Sequence, residues 1–227
     1  MLHTLRWPSA CHVCHRWPSD PLCAACVTRF AQPLPRCPRC ALTLHATDCV
    51  ACQETAPPLD ACFTAVSYGF PWDGLVARFK FQAEAGLARL LAHLMQHAPH
   101  VMPALEAADC VVPMPLSARR LRARGFNQAQ VLAERLAGRK VASHWLHRSG
   151  EGAHQVGASR AERQALVQDV FWVAPQAFAT LKNQRVVLLD DVMTTGASMY
   201  AAAAALRTAG VRHITGLVFA RAEREHA

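Results

Sequence analysis

The spacing of apolar and polar residues divides the 227-residue chain into recognisable elements. Residues 62–68 alternate apolar and polar side chains, which predicts a half-buried strand. Leu87, Leu90, Leu91, Leu94 and Met95 recur at helical spacing and predict one apolar helix face, a packing surface without chemistry. Three short apolar runs, at 110–112, 186–189 and 214–220, read as strands buried on both faces, the habit of parallel sheets. The first of them stops at Pro113-Met114-Pro115, where backbone donors are lost and φ is set. Asn127 is placed to cap a helix with the stripe Ala129, Leu132, Ala133 and Leu136, ended by Gly138. A further helical run spans 199–209. Strands alternating with helices in this way predict an α/β fold, a parallel sheet flanked by helices, over residues 58–227.

Residues 1–57 are organised differently. Eight of the ten cysteines form four Cys-x-x-Cys pairs there: Cys11/Cys14, Cys23/Cys26, Cys37/Cys40 and Cys49/Cys52. Eight residues separate the pairs within each half and the halves repeat after 26, so two similar sites are expected. Four thiolates from two such knuckles suit tetrahedral Zn²⁺, with Zn–S bonds of about 2.3 Å. With Pro8, Pro18, Pro21, Pro33, Pro35 and Pro38 the segment has little apolar core of its own. Metal binding is therefore expected to supply most of its folding free energy. Sequential pairing is simplest; spacing leaves an interleaved pairing open, as well as substitution by His12, His15 or His45. A disulfide framework would need an oxidising compartment, and the first residues lack the apolar core of an export signal. Iron–sulfur ligation shares the spacing and stays open. Arg6-Trp7-Pro8-Ser9 and Arg16-Trp17-Pro18-Ser19 repeat one motif. Its tryptophans are expected to cover the module, a stacking surface for nucleic acid being the alternative. The expected organisation is a cysteine-rich double zinc-ribbon module at 1–57 followed by the α/β domain at 58–227.

The densest chemistry lies at 186–198. The buried run Val186-Val187-Leu188-Leu189 ends at Asp190 and Asp191, and Thr194-Thr195-Gly196-Ala197-Ser198 turns into a helix. Such a turn directs N–H groups and hydroxyls at one point in front of the helix N-terminus, a favourable phosphate position. Gly196 keeps a Cβ from standing between the amides and the anion. Two carboxylates beside a phosphate would repel it unless they serve sugar hydroxyls, or a Mg²⁺ ion, on the same ligand. The implied ligand is a ribose 5-phosphate. A solvated acidic turn with Thr and Ser capping the next helix is the plain alternative.

Charge adds polyanions to the picture. The formal charge is +8 and the pI about 9.2, with 21 Arg against 3 Lys. The planar guanidinium suits phosphates, so single-stranded DNA enters as a partner, although genomic base composition produces the same bias. Arg119, Arg120, Arg122 and Arg124 are expected to crowd a loop after the 110–112 strand, where doubly wound sheets bind ligands. The Gly- and Ser-rich stretch from Arg148 to Arg163 is expected to be a mobile loop, its Arg148, Arg160 and Arg163 able to close over a pyrophosphate. The last residues, from Arg221, read as a charged tail. No run reaches the eighteen apolar residues of a membrane helix, so a cytoplasmic protein without membrane insertion is expected.

The run at 186–198 resembles the phosphoribosyl pyrophosphate (PRPP) signature of type I phosphoribosyltransferases. That resemblance implies that Asp190 and Asp191 hold the ribose hydroxyls and that Thr194, Thr195, Gly196, Ala197 and Ser198 hold the 5′-phosphate. Mg²⁺ and arginines would meet the pyrophosphate. Val112-Pro113-Met114-Pro115-Leu116, then Arg124-Gly125-Phe126-Asn127-Gln128, then Gln155, Arg160 and Arg163 ahead of Phe171, then the acidic signature, resemble the competence protein F (ComF) family. The likeness covers nearly the whole chain and departs at Leu166, where that family commonly has Asn. It implies a zinc module joined to a phosphoribosyltransferase-like domain, a role in DNA uptake or the use of imported DNA, and protein partners in an uptake machinery. Three activities remain open: phosphoribosyl transfer with release of pyrophosphate, a silent PRPP sensor, and a single-stranded DNA-binding protein. No acceptor site is visible, since only seven residues follow the last strand.

Overall fold

The computed structural model describes residues 9–149 and 171–223. Its centre is a four-stranded parallel sheet in the order β1-β6-β5-β2, made of β1 (Ala61–Ser67), β2 (Cys110–Pro113), β5 (Arg185–Met193) and β6 (His213–Arg221). A separate antiparallel pair joins β3 (Leu146–Arg148) to β4 (Phe171–Val173). The helices in chain order are α1 (Ala24–Phe30), α2 (Val50–Glu54), α3 (Trp72–Phe81), α4 (Leu87–His97), α5 (Val101–Ala107), α6 (Ala118–Arg124), α7 (Gln128–Ala137), α8 (Phe178–Leu181) and α9 (Ala197–Thr208). None of these is long and apolar enough to cross a membrane.

Burial follows the sequence periods. Cys62, Thr64 and Val66 of β1 are buried while their neighbours are half-exposed, because β1 is an edge strand. Central β5 and β6 are buried nearly end to end, as expected of strands covered on both faces. The α4 stripe Leu87, Leu90, Leu91, Leu94 and Met95 is wholly buried, and so is the α7 stripe Ala129, Leu132, Ala133 and Leu136. Helix α4 lies against β1 and β6, α7 lies against β2 and β5, and the two pack together on one face of the sheet.

The cysteine segment is docked on this core in two ways. Around the first knuckles, Cys11, Leu22, Cys23 and Cys26 join the main apolar cluster, and the Trp72 indole donates to the Phe30 carbonyl at 3.1 Å. Around the second knuckles the attachment is mainly polar. Cys62 N–H donates to the Pro38 carbonyl at 2.7 Å, and the Arg36 guanidinium reaches the Ser67 hydroxyl at 2.8 Å and Glu223 at 3.4 Å.

Five expectations need correction. Strand β5 does not stop before the acids; it runs through Asp190 and Asp191 to Met193, because β6 continues to pair with it as far as Arg221. The arginine loop is helix α6, capped where the Ser117 hydroxyl accepts from Arg120 N–H and closed by Gly125 in the left-handed region. Ala, Arg and Leu are good helix formers, and a Ser cap is enough to start them. Arg148 does not begin a loop: it closes β3 opposite Phe171. Arg221 does not begin a charged tail, since it is the last residue of β6 and 2% exposed. Trp17 is not a buried cover of the module but stands 63% exposed. Arg160, Arg163 and Trp7 lie outside the described residues.

Candidate functional site

Parallel strands leave a crevice at their carboxyl ends, where the chain departs in different directions. Here that crevice, of about 240 Å³, lies between the end of β5, the turn 194–198, the Met114-Pro115-Leu116 segment after β2 and the arginines of α6. It is lined by Asp190, Asp191, Thr194, Thr195, Gly196, Ala197 and Ser198, and by Arg124 and Arg148. Sequence positions spread over seventy-five residues are thereby brought to one place. Lys80 and Arg120 also line it.

The two acids are not equivalent. Neighbours in a strand point to opposite faces, so Asp190 and Asp191 meet different surroundings. Asp191 is 4% exposed, and its Oδ1 accepts from Lys80 Nζ at 2.8 Å. Asp190 is partly buried and takes a 2.8 Å hydrogen bond from the Asp191 N–H. Burial, and then the Asp191 charge, push its carboxyl up to about 7, although Lys80 and Arg124 pull the other way. Near neutrality Asp190 is thus poised between acid and carboxylate. An incoming cation or hydroxyl donor would complete its ionisation, which fits the hydroxyl-bearing ligand and Mg²⁺ considered above.

The turn is shaped by a side chain the sequence did not point to. Gly196 has φ +88°, and a Cβ added there would lie 2.6 Å from the Tyr200 ring. Glycine is therefore required by backbone conformation and by Tyr200, in addition to any approach of a ligand. Ala197 N–H donates to the Thr195 hydroxyl at 3.3 Å, which starts α9 two residues earlier than the apolar pattern indicates. The carbonyls of Met193 and Thr194 are both held by the Arg221 guanidinium.

The run from Arg124 to Gln128 divides into local tasks. Arg124 faces the crevice, lies 5.2 Å from the Phe81 ring centroid and donates to Gln128 Oε1 at 3.1 Å. Gly125 ends α6, and the Phe126 ring packs 5.4 Å from that of Phe79. Asn127 caps α7 through Oδ1 and donates from Nδ2 to the Met114 carbonyl at 3.0 Å, fixing the wall of the crevice. The Arg148 guanidinium, which also lines the crevice, lies 5.3 Å from the Phe171 ring centroid.

The cysteines gather in sequential sets, Cys11/Cys14/Cys23/Cys26 and Cys37/Cys40/Cys49/Cys52, each with its sulfurs within 4.8 Å of one another. Sγ···Sγ separations of 3.7 Å for Cys14/Cys23 and Cys37/Cys52, and 3.5 Å for Cys40/Cys49, are far beyond a disulfide bond. They match the edge of about 3.8 Å of a tetrahedron with bonds of about 2.3 Å, so both sets fit zinc. The thiols of the first set differ: burial pushes Cys11 up, but the N–H groups of Cys14, Cys23 and Val13 outweigh this and bring it down to about 6, whereas burial pushes Cys26 up to about 12.

Comparison with known proteins settles the family. The phosphoribosyl transferase domain matches residues 122–226. Competence protein F of Haemophilus influenzae is 30% identical over 219 residues, covering 88% of this chain and 90% of its own. The chain belongs to the competence protein F family. Also similar to this ComF-family chain are the DNA utilization protein YhgH of Escherichia coli K12, 28% identical over 78% of this chain and 80% of its own, and that of Salmonella typhimurium, with the same identity and coverage.

For this ComF protein, sequence reasoning missed Lys80 and Arg221, whereas Arg120, expected with its neighbours beyond the 110–112 strand, does line the crevice. The helical stripe Trp72, Leu75, Val76 and Phe79, all buried, would have placed a helix at Lys80. No local pattern marks Arg221, whose partners Cys40, Met193 and Thr194 lie in two segments remote in sequence.

Proposed function

We propose that the crevice binds a ribose 5-phosphate group presented as PRPP with Mg²⁺, in a cytoplasmic protein that serves DNA uptake or the use of imported DNA. One observation carries this: a pair of carboxylates and the 194–198 turn, in front of the twelve-residue helix α9, open on the same crevice at the carboxyl ends of parallel strands. The turn's N–H groups and hydroxyls suit the 5′-phosphate. Asp190, held near neutrality, suits the ribose hydroxyls or Mg²⁺, and Asp191 with Lys80 stiffens the strand end beneath it. Arg120, Arg124 and Arg148 also line the crevice and would meet a pyrophosphate. When bound, Mg²⁺ supplies positive charge to that group. The two matched relatives called DNA utilization proteins, and competence protein F itself, support the DNA role. The division at residue 57 into zinc module and transferase-like domain, with structural zinc in the former, is part of this proposal.

PRPP with Mg²⁺ should raise the melting temperature, and Asp190→Asn combined with Asp191→Asn should remove that rise; a double variant that responds like the parent would discard the sugar-clamp assignment. Release of pyrophosphate with candidate acceptors then separates transferase from sensor. A second reading, single-stranded DNA across the crevice mouth, is favoured by Phe81, which is 71% exposed beside Arg124. Such binding should weaken steeply with salt through counterion release, and no affinity at low salt would rule it out.

A further inference from the structure

Arg221 is a buried cation held by backbone. Its Nε donates to the Cys40 carbonyl at 2.9 Å, and its Nη1 donates to the carbonyls of Met193 at 3.0 Å, Thr194, and Ala222 at 2.8 Å. Among the described residues it makes no ion pair with a carboxylate. A buried charge needs compensation, and here four carbonyl dipoles provide part of it. The rest has a source in reach: four thiolates around one divalent ion leave two net negative charges, and Cys40 belongs to the second cysteine set. Cys40 and the phosphate-loop carbonyls thus grip one guanidinium from opposite sides.

The Tyr200 ring occupies the space over Gly196 that a Cβ would need, so the turn is also backed by an aromatic side chain. Among the described residues the first cysteine set makes no contact with the turn and lies instead against the main apolar core and α3, where Arg78 is 3.4 Å from His12. A planar fork with several donors can fix three segments at once; a lysine at the same place would keep the charge and lose the fork.

We propose that Arg221 is a positioning residue that couples the second cysteine set to the sugar-phosphate turn, so that metal held by Cys37, Cys40, Cys49 and Cys52 and ligand held at 194–198 stabilise each other. The inference rests on the crevice being the PRPP site. Coupling between two sites is reciprocal, so it can be read from either end.

The test uses the full-length zinc-loaded chain. Zinc extraction by a coloured chelator is followed with and without PRPP and Mg²⁺. PRPP should slow the release of one of the two zincs by about tenfold and leave the other unchanged. In Arg221→Lys both zincs should still bind by elemental analysis, while PRPP protection disappears and PRPP affinity falls about tenfold. A parent that binds PRPP by calorimetry yet releases both zincs at unchanged rates overturns the coupling, as does protection that persists in Arg221→Lys. If that variant does not fold, the parent's release rates decide alone. If the parent binds no PRPP, the crevice assignment fails, and hydrogen exchange still decides the link. Amide exchange at 194–198 should quicken in Cys52→Ser and stay unchanged in Cys14→Ser; equal exchange in the two overturns it.

Discussion

Replacing Asp190 by Asn tests whether the strand end stores destabilisation for a ligand. The fold holds the Asp190 proton to about 7 against an ordinary value of 3.8, chiefly through burial and then the Asp191 charge. The unfolded chain has released this proton by mid-acidic pH, so between about pH 4 and pH 7 the folded state binds more protons and stability declines as pH rises. A tenfold change in proton affinity is worth about 1.4 kcal/mol, which sets a ceiling of about 4 kcal/mol for the cost at pH 8 and a smaller one at pH 5. Asparagine keeps the carbonyl oxygen that accepts from Asp191 N–H and carries no charge. Urea unfolding of both proteins at pH 5 and pH 8, in excess zinc, reads the Asp190 charge together with its coupling to Asp191 and Lys80. Asp190→Asn should be the more stable protein at pH 8, and its advantage should shrink by about 2–3 kcal/mol at pH 5. An advantage that does not vary with pH, or a variant weaker than the parent at pH 8, would refute a buried, charge-frustrated carboxyl.

Three further substitutions or treatments probe the same frame. Lys80→Met leaves Asp191 buried without its cation and should cost about 3–5 kcal/mol by urea unfolding. Adding Asp191→Asn should recover much of that, and a simple sum of the two single effects would deny the pair. Gly196→Ala should cost about 1–3 kcal/mol for the left-handed backbone alone, and adding Tyr200→Ala should relieve only the steric remainder; a single variant as stable as the parent contradicts the turn geometry. Elemental analysis should find about two zincs per chain, and a strong chelator should unfold the cysteine segment by circular dichroism and proteolysis; one zinc, or a chelator-resistant segment, argues against two tetrahedral sites.

Much of the frame was legible because its signals are local. The stripes of α4 and α7, the Asn127 cap and the buried runs of β5 and β6 depend on side-chain period and on hydrogen bonds within a few residues. The Cys-x-x-Cys repeat likewise foretold two similar sites, since two knuckles close in sequence are easily folded onto one ion. Boundaries were less legible. The end of β5 depends on how far β6 accompanies it, and α6 depends on a single serine hydroxyl.

The sequence by itself determined which faces of the helices and strands are buried, that eight cysteines form four knuckles and where an acidic strand end meets a Thr/Gly/Ser turn, because period, spacing and conformational preference act along the chain. Only the tertiary structure decided that the cysteines gather in sequential sets, that Lys80 pairs with Asp191, that Asp190 is left poised near neutrality, and that Arg221 joins a cysteine knuckle to the turn. Those outcomes depend on desolvation and on charges from separate elements meeting in one small volume, quantities that exist only once the chain has closed on itself.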